Sequence, residues 1–214
     1  MLPFAPEGYP FVLVPALAGI FSWVLGYHAV TAAFVLLALA CVAFFRDPAR
    51  SSDAPPEVVL APADGKVLSV GAAPAALAER GLPSQISIFM SPANVHVNRA
   101  PTAGRVLEAR HVAGSKVPAF RDKASELNEH SFVVLEGSLG TVAYKQIAGA
   151  LARRVVCDLS PGRSVRRGER VGLIKFGSRV DLFLPPDATV TIAPGEQTRA
   201  GVTEVARLAA KVRP

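Results

Sequence analysis

Val171-Gly172-Leu173-Ile174-Lys175-Phe176-Gly177-Ser178-Arg179-Val180-Asp181-Leu182-Phe183-Leu184 is the stretch that decides the fold class. Residues 171–176 and 180–184 read as short strands, rich in β-branched and apolar side chains, with a Gly-Ser pair between them. The same pattern recurs outward at residues 58–60, 66–70, 86–90, 106–112, 132–135, 141–147 and 153–157, each run bounded by Gly, Pro, Asn or Asp. Residues 75–80 suit a helical turn, and residues 203–212 a short terminal helix or strand. Many short strands at close spacing predict a mainly-β core of sandwich or barrel-like form. No glycine-rich phosphate loop joins a strand to a helix, and no heptad pattern occurs.

The N-terminus has another character. Residues 1–45 contain no Lys or Arg and one acid, Glu7, so all 23 basic residues and 16 of the 17 acids fall in 46–214. Residues 11–26 and 29–45 are uncharged runs of 16 and 17, with Gly26, Tyr27 and His28 at the break. One span needs roughly 20 apolar residues, so this length predicts two short helices in a hairpin over 1–45. The missing basic leader and the excess length argue against a signal peptide. The absence of a polar face favours insertion over lying in the interface. Arg46 and Arg50 follow the second helix, which places the body on the cytoplasmic side of the cell (inner) membrane. Residues 46–56 then read as a linker, and 57–214 as the catalytic body.

The basic body predicts an anionic surface as partner. Six arginines between Arg153 and Arg170 face Asp158 and Glu169, which suits either a solvated turn or contact with anionic lipid. Aromatics are absent from that run, so nucleic acid is not an expected partner. His28, His96, His111 and His130 are scattered without a chelating spacing, so no metal is expected and a zinc peptidase reading has no second ligand. Cys41 and Cys157 form no framework and fit a reducing compartment. A carrier-like β domain on a membrane anchor is the non-enzymatic alternative, and it would need Lys175 at an exposed tip.

Gly177-Ser178 has an ordinary reading as a turn or bulge and a chemical one. A serine hydroxyl can attack the carbonyl of a preceding glycine, which has no side chain in the way. That attack needs a base held by a third group. Ala63-Asp64-Gly65 places an acid in a turn leading to a strand, where Asp64 either caps the turn or serves the chemistry. Ser91-Pro92-Ala93-Asn94-Val95-His96-Val97-Asn98-Arg99-Ala100-Pro101 is denser in function. If extended, it puts Asn94, His96 and Asn98 on one face and Arg99 on the other. His96, amid polar groups beside an apolar strand, is the acid/base candidate.

Six blocks in order carry a resemblance: Phe44-Phe45-Arg46-Asp47-Pro48, Ala61-Pro62-Ala63-Asp64-Gly65-Lys66-Val67, the segment from Met90 to Pro101, Asn128-Glu129, Gln146-Ile147-Ala148-Gly149, and Phe176-Gly177-Ser178-Arg179-Val180-Asp181. Together they resemble the short, archaeal-type form of the phosphatidylserine decarboxylase family. The resemblance implies a proenzyme that cuts itself between Gly177 and Ser178. The products would be a β chain, 1–177, and an α chain, 178–214, which stay associated. Ser178 would become a pyruvoyl cofactor that forms a Schiff base with phosphatidylserine and yields phosphatidylethanolamine. Asp64 matches the family's aspartate, and His96 the first of two histidines in the longer forms. Arg99 stands at the second, and Arg cannot act as a base. Either His96 then serves both maturation and turnover, or Asp64 acts more directly. Asn98 and Arg99 are the expected contacts to the lipid head group. An ether lipid bearing phosphoserine would present the same head group, and a homo-oligomer is compatible with the pattern.

Overall fold

The computed structural model describes residues 3–114, 128–149, 154–175 and 178–209. The chain divides into two compact units, Met1–Ala49 and Arg50–Pro214, with the boundary inside the proline-rich stretch 46–56.

The first unit is a helical hairpin. A 3-10 turn (Pro6–Gly8) leads into α1 (Tyr9–Val24), and α2 (His28–Phe44) runs back. Gly26 makes the break with φ 80, a left-handed value that glycine adopts without a Cβ penalty. Ser22 Oγ and Thr31 Oγ1 lie 3.0 Å apart and tie the two helices. The ends are tied as well: Ala5 N–H donates to Phe45 O at 2.8 Å, and Asp47 N–H to Pro3 O at 2.8 Å. Pro6–Val24 spans 19 residues, or about 28 Å at 1.5 Å per residue, close to a hydrocarbon core of about 30 Å. By length and composition it is the one described helix that passes as a membrane span; α2 is shorter. Leu13, Val14, Leu17, Phe21, Trp23 and Leu36 are all more than half exposed, a surface that water does not favour.

The second unit is built almost wholly of antiparallel strands. They are β1 (Val58–Leu60), β2 (Gly65–Ala72), β3 (Ser84–Met90), β4 (Val97–Arg99), β5 (Gly104–Val112), β6 (His130–Gly137) and β7 (Gly140–Ala148). After these come β8 (Val155–Cys157), β9 (Ser164–Val165), β10 (Arg170–Ile174), β11 (Ser178–Leu184), β12 (Thr189–Val190), β13 (Gln197–Thr198) and β14 (Glu204–Arg207). One helical turn, α3 (Ala75–Ala78), interrupts them. The large sheet runs β13-β2-β3-β11-β7-β6-β5-β9; two smaller ones run β1-β14-β12 and β4-β10-β8. The mainly-β expectation holds; within residues 203–209 lies a strand at 204–207, and residues 210–212 of the expected terminal element lie outside the described residues.

β11 is the centre of the large sheet. It pairs along its length with β3 and β7, and all seven of its residues are buried. Its side chains alternate between faces, as a strand requires. Val180, Leu182 and Leu184 join the main core with Ile86, Ile88, Val142, Tyr144 and Val205. Phe183 faces the other way and packs with Phe132, Val134, Leu77 and Leu82. Arg179 shares that second face; its Nε donates to Asp181 Oδ1 at 2.5 Å and its Nη2 to Ser87 Oγ at 2.8 Å.

Candidate active site

Ser178 opens β11 and is fully buried. Its Cα lies opposite Met90 on one side and Ala148 on the other. Parity places its side chain with Val180 and Leu182, toward the main core. There Ser178 Oγ donates to Met90 Sδ at 3.2 Å. Gly177 and Phe176 lie outside the described residues.

The same sulfur accepts from Asn98 Nδ2 at 3.6 Å, and that amide also points at Pro62 O, 3.4 Å away. The amide orientation is imposed from behind. Gln146 Nε2 donates to Asn98 Oδ1 at 2.8 Å, and Gln146 Oε1 accepts from Ser131 Oγ at 2.6 Å. Ser131, Gln146, Asn98 and Ser178 are each at most 1% exposed. They form a neutral polar chain across an apolar core, in which each amide is oriented by its neighbour.

His96 is fully buried just ahead of β4. Ser91, Pro92 and Asn94 build the turn that delivers it: Asn94 Oδ1 accepts from the Ser91 N–H and hydroxyl, both at 2.8 Å. Pro92 supplies the fixed φ that the second position of such a turn favours. His96 Nδ1 lies 3.0 Å from Asn94 O. A carbonyl only accepts, so Nδ1 carries the proton and Nε2 is the basic nitrogen of the neutral ring. Ile174 N–H donates to His96 O at 3.3 Å, so the histidine backbone is stitched to the strand that leads toward residue 178.

Asp64 sits between β1 and β2, 8% exposed. Both carboxylate oxygens are taken by the Arg50 guanidinium, Oδ2 at 2.8 Å, and Oδ1 also accepts from Ala200 N–H at 2.7 Å. Arg50 Nη1 donates in turn to Ala200 O at 2.9 Å. Among the described residues the Asp64 carboxylate bonds to these groups and not to Ser178 or His96. Arg99 departs from Asn98 by the strand alternation: its Nη1 donates to Gly168 O at 3.1 Å, away from the Met90 sulfur. The structure thus joins Ser178 to Asn98, and groups Arg99 with Arg50 around a separate cavity.

Other residues acquire roles or lose them. Asn128 Nδ2 donates to Ala148 O at 2.6 Å, opposite Ser178, and Glu129 Oε1 accepts from Val155 N–H at 3.2 Å. His130 begins β6, its Cα paired with Ile147; burial pushes its imidazole below the ordinary value. His111 lies on β5 as expected, 3.5 Å from Glu129 Oε1. The sequence alone assigns no site role to Met90, Gln146 or Ser131, and gives Arg50 only the place of a basic residue flanking the second helix. Gln146 carried a legible signal: it shares the inward parity of Val142, Tyr144 and Ala148, and a polar residue on that face needs a partner. Arg50 carried none, since it lies in the linker-like stretch.

A buried serine at the head of a central antiparallel strand, backed by an uncharged amide chain, marks a mainly-β protein with an internal hydroxyl site. The comparisons narrow this class. The family model for phosphatidylserine decarboxylase matches residues 37–206. A phosphatidylserine decarboxylase proenzyme of Magnetococcus marinus is 45% identical over 212 residues, 97% of this chain and 96% of that one. Proenzymes of the same name from Syntrophotalea carbinolica (45% over 205 residues) and Geobacter sulfurreducens (42% over 211) each match over 94% of both chains. The chain belongs to the phosphatidylserine decarboxylase family.

Proposed function

We propose that this chain is a phosphatidylserine decarboxylase proenzyme that processes itself at the Gly177–Ser178 bond. The observation that carries the reading is the buried Ser178 hydroxyl at the start of β11, in a chain of this family. Attack by Ser178 Oγ on the Gly177 carbonyl carbon converts the amide to an ester. β-Elimination then releases the Gly177 carboxylate and leaves dehydroalanine at 178. Its imine tautomer takes up water, loses ammonia and becomes a pyruvoyl group.

His96 is the base we assign to this step. Asp64 is engaged by Arg50 and Ala200 N–H, and an arginine at 99 has no basic nitrogen to offer. Asp64 acts instead by fixing the segment that also carries Pro62 O, the acceptor for Arg99 N–H. The surroundings of Ser178 suit a keto group. They are neutral, and two strands grip residue 178 so that it keeps its place when the preceding bond is cut. A pyruvoyl group supplies a carbonyl that condenses with the substrate amine and takes up the electron pair left by loss of CO2. Asn98, whose amide donates to the same Met90 sulfur as Ser178 Oγ, would offer an N–H donor to that carbonyl, and His96 would return a proton to Cα.

On this reading the two chains stay associated because the α chain contributes β11 to β14. β11 pairs with β3 and β7, β13 with β2, and β14 with β1, all of the β chain. The hairpin is the membrane attachment, with the body on the cytoplasmic side. The test is intact mass of the full chain beside Ser178→Ala. Wild type should give chains of 177 and 37 residues, the shorter one reactive to a carbonyl reagent; the variant should stay at 214. A folded, membrane-bound wild type that remains one unmodified chain sinks the reading.

A further inference from the structure

Met90 closes β3 and is fully buried in the main core with Ile86 and Ile88. Its Cα lies directly opposite Ser178. Residues facing each other on paired antiparallel strands send their side chains to the same face, so the thioether meets the serine hydroxyl. Two donors converge on the sulfur: Ser178 Oγ at 3.2 Å and Asn98 Nδ2 at 3.6 Å. Among the described residues Met90 Sδ is the hydrogen-bond partner of Ser178 Oγ, while the Asn98 amide also has Pro62 O at 3.4 Å. A core methionine ordinarily fills space, and an aliphatic side chain of equal volume does that nearly as well. A sulfur that receives two buried donors does something further, because a buried donor left without an acceptor is costly.

Sulfur suits this place chemically. A thioether accepts weakly and has no proton to give. It aims the Ser178 O–H bond and leaves the oxygen lone pairs free for a carbonyl carbon. A carboxylate in its place would hold the hydroxyl more firmly and bring a charge into the core.

We propose that Met90 is a positioning residue for self-cleavage, its sulfur holding the Ser178 hydroxyl and the Asn98 amide in place until the acyl shift. The role rests on the self-cleavage reading above. In the shift the Ser178 O–H bond breaks, and its proton passes through the base to the Ser178 nitrogen. The bond from Oγ to the Gly177 carbonyl carbon forms, and the Gly177–Ser178 C–N bond breaks. The sulfur gains and loses nothing. β-Elimination then leaves Oγ in the Gly177 carboxylate, so residue 178 no longer carries the oxygen that the sulfur held. The thioether therefore serves maturation and not turnover, a split that a merely structural residue does not show.

Met1 and Met90 are the two methionines of the sequence, so replacing methionine throughout changes one side chain in the body. The full chain is translated in neutral detergent with methionine, selenomethionine or norleucine. Selenium keeps the acceptor, and the methylene of norleucine removes it at nearly constant shape. Intact mass follows the appearance of the 37-residue chain with time. Norleucine should slow it by about fivefold, the equivalent of one net hydrogen bond. Selenomethionine should keep the methionine rate. After complete cleavage, kcat and KM for phosphatidylserine in mixed micelles should match in all three proteins. Cleavage of the norleucine chain at the methionine rate would reduce Met90 to core filler and overturn the role. Equal slowing by selenium and by the methylene would overturn it too, as would a norleucine loss shared equally between cleavage and kcat. A methionine chain that never yields the short product sinks the self-cleavage reading itself, and this role with it.

Discussion

Asn98 and Arg99 are neighbours on one strand, yet their side chains enter opposite surroundings. Asn98 joins Gln146, Ser131, Met90 and Ser178, a chain of uncharged groups sealed in the core. Arg99 joins Arg50, Arg167 and Arg170 around a solvent-reaching cavity. The contrast shows how a strand separates two electrostatic tasks with one step of its pleat. Buried chemistry on a backbone carbonyl is served by neutral, pre-aimed dipoles, because an unpaired charge at that depth is costly. On the other side the charges keep partners within the fold: Arg50 bonds Asp64, Arg99 donates to Gly168 O, and Arg170 pairs with Asp158.

The hardest blow to this contrast is a charge on the neutral side. In a Ser178→Ala background, Asn98→Asp should cost about 4 kcal/mol at neutral pH, from a burial shift of some three pKa units. The sign is set by a folded-state pKa raised above the unfolded one. The loss is therefore absent below about pH 4 and grows as pH rises toward the folded value. Denaturant unfolding at several pH values reads it out; a deficit that ignores pH would mean that Asn98 is solvated and the two sides are alike. Next in size is the charged side. Arg50→Met leaves Asp64 buried without its cation and should cost about 3 kcal/mol, most of it restored by adding Asp64→Leu. Equal instability of the single and double variants would break the pairing. Smallest is Gln146→Leu, which strips partners from Asn98 and Ser131 for about 2 kcal/mol. It should also slow the appearance of the 37-residue chain seen by mass. Unchanged processing would detach the amide chain from Ser178.

Much of this was legible in the chain itself. Uncharged runs of helical length, broken at Gly26, declare the hairpin. Short β-branched runs between turn residues declare the sheet, and strand alternation alone assigns Asn98 and Arg99 to opposite faces. The Gly177-Ser178 pair points to the bond proposed above for self-cleavage by its chemistry, not by its shape. Partnership is what tertiary structure decided. Arg50 clamps Asp64 across 14 residues, Gln146 aims Asn98 across 48, and Met90 meets Ser178 across 88. Such contacts depend on strand order and register in the sheet. Local periodicity states which way a side chain points, and only the folded register states what it meets there.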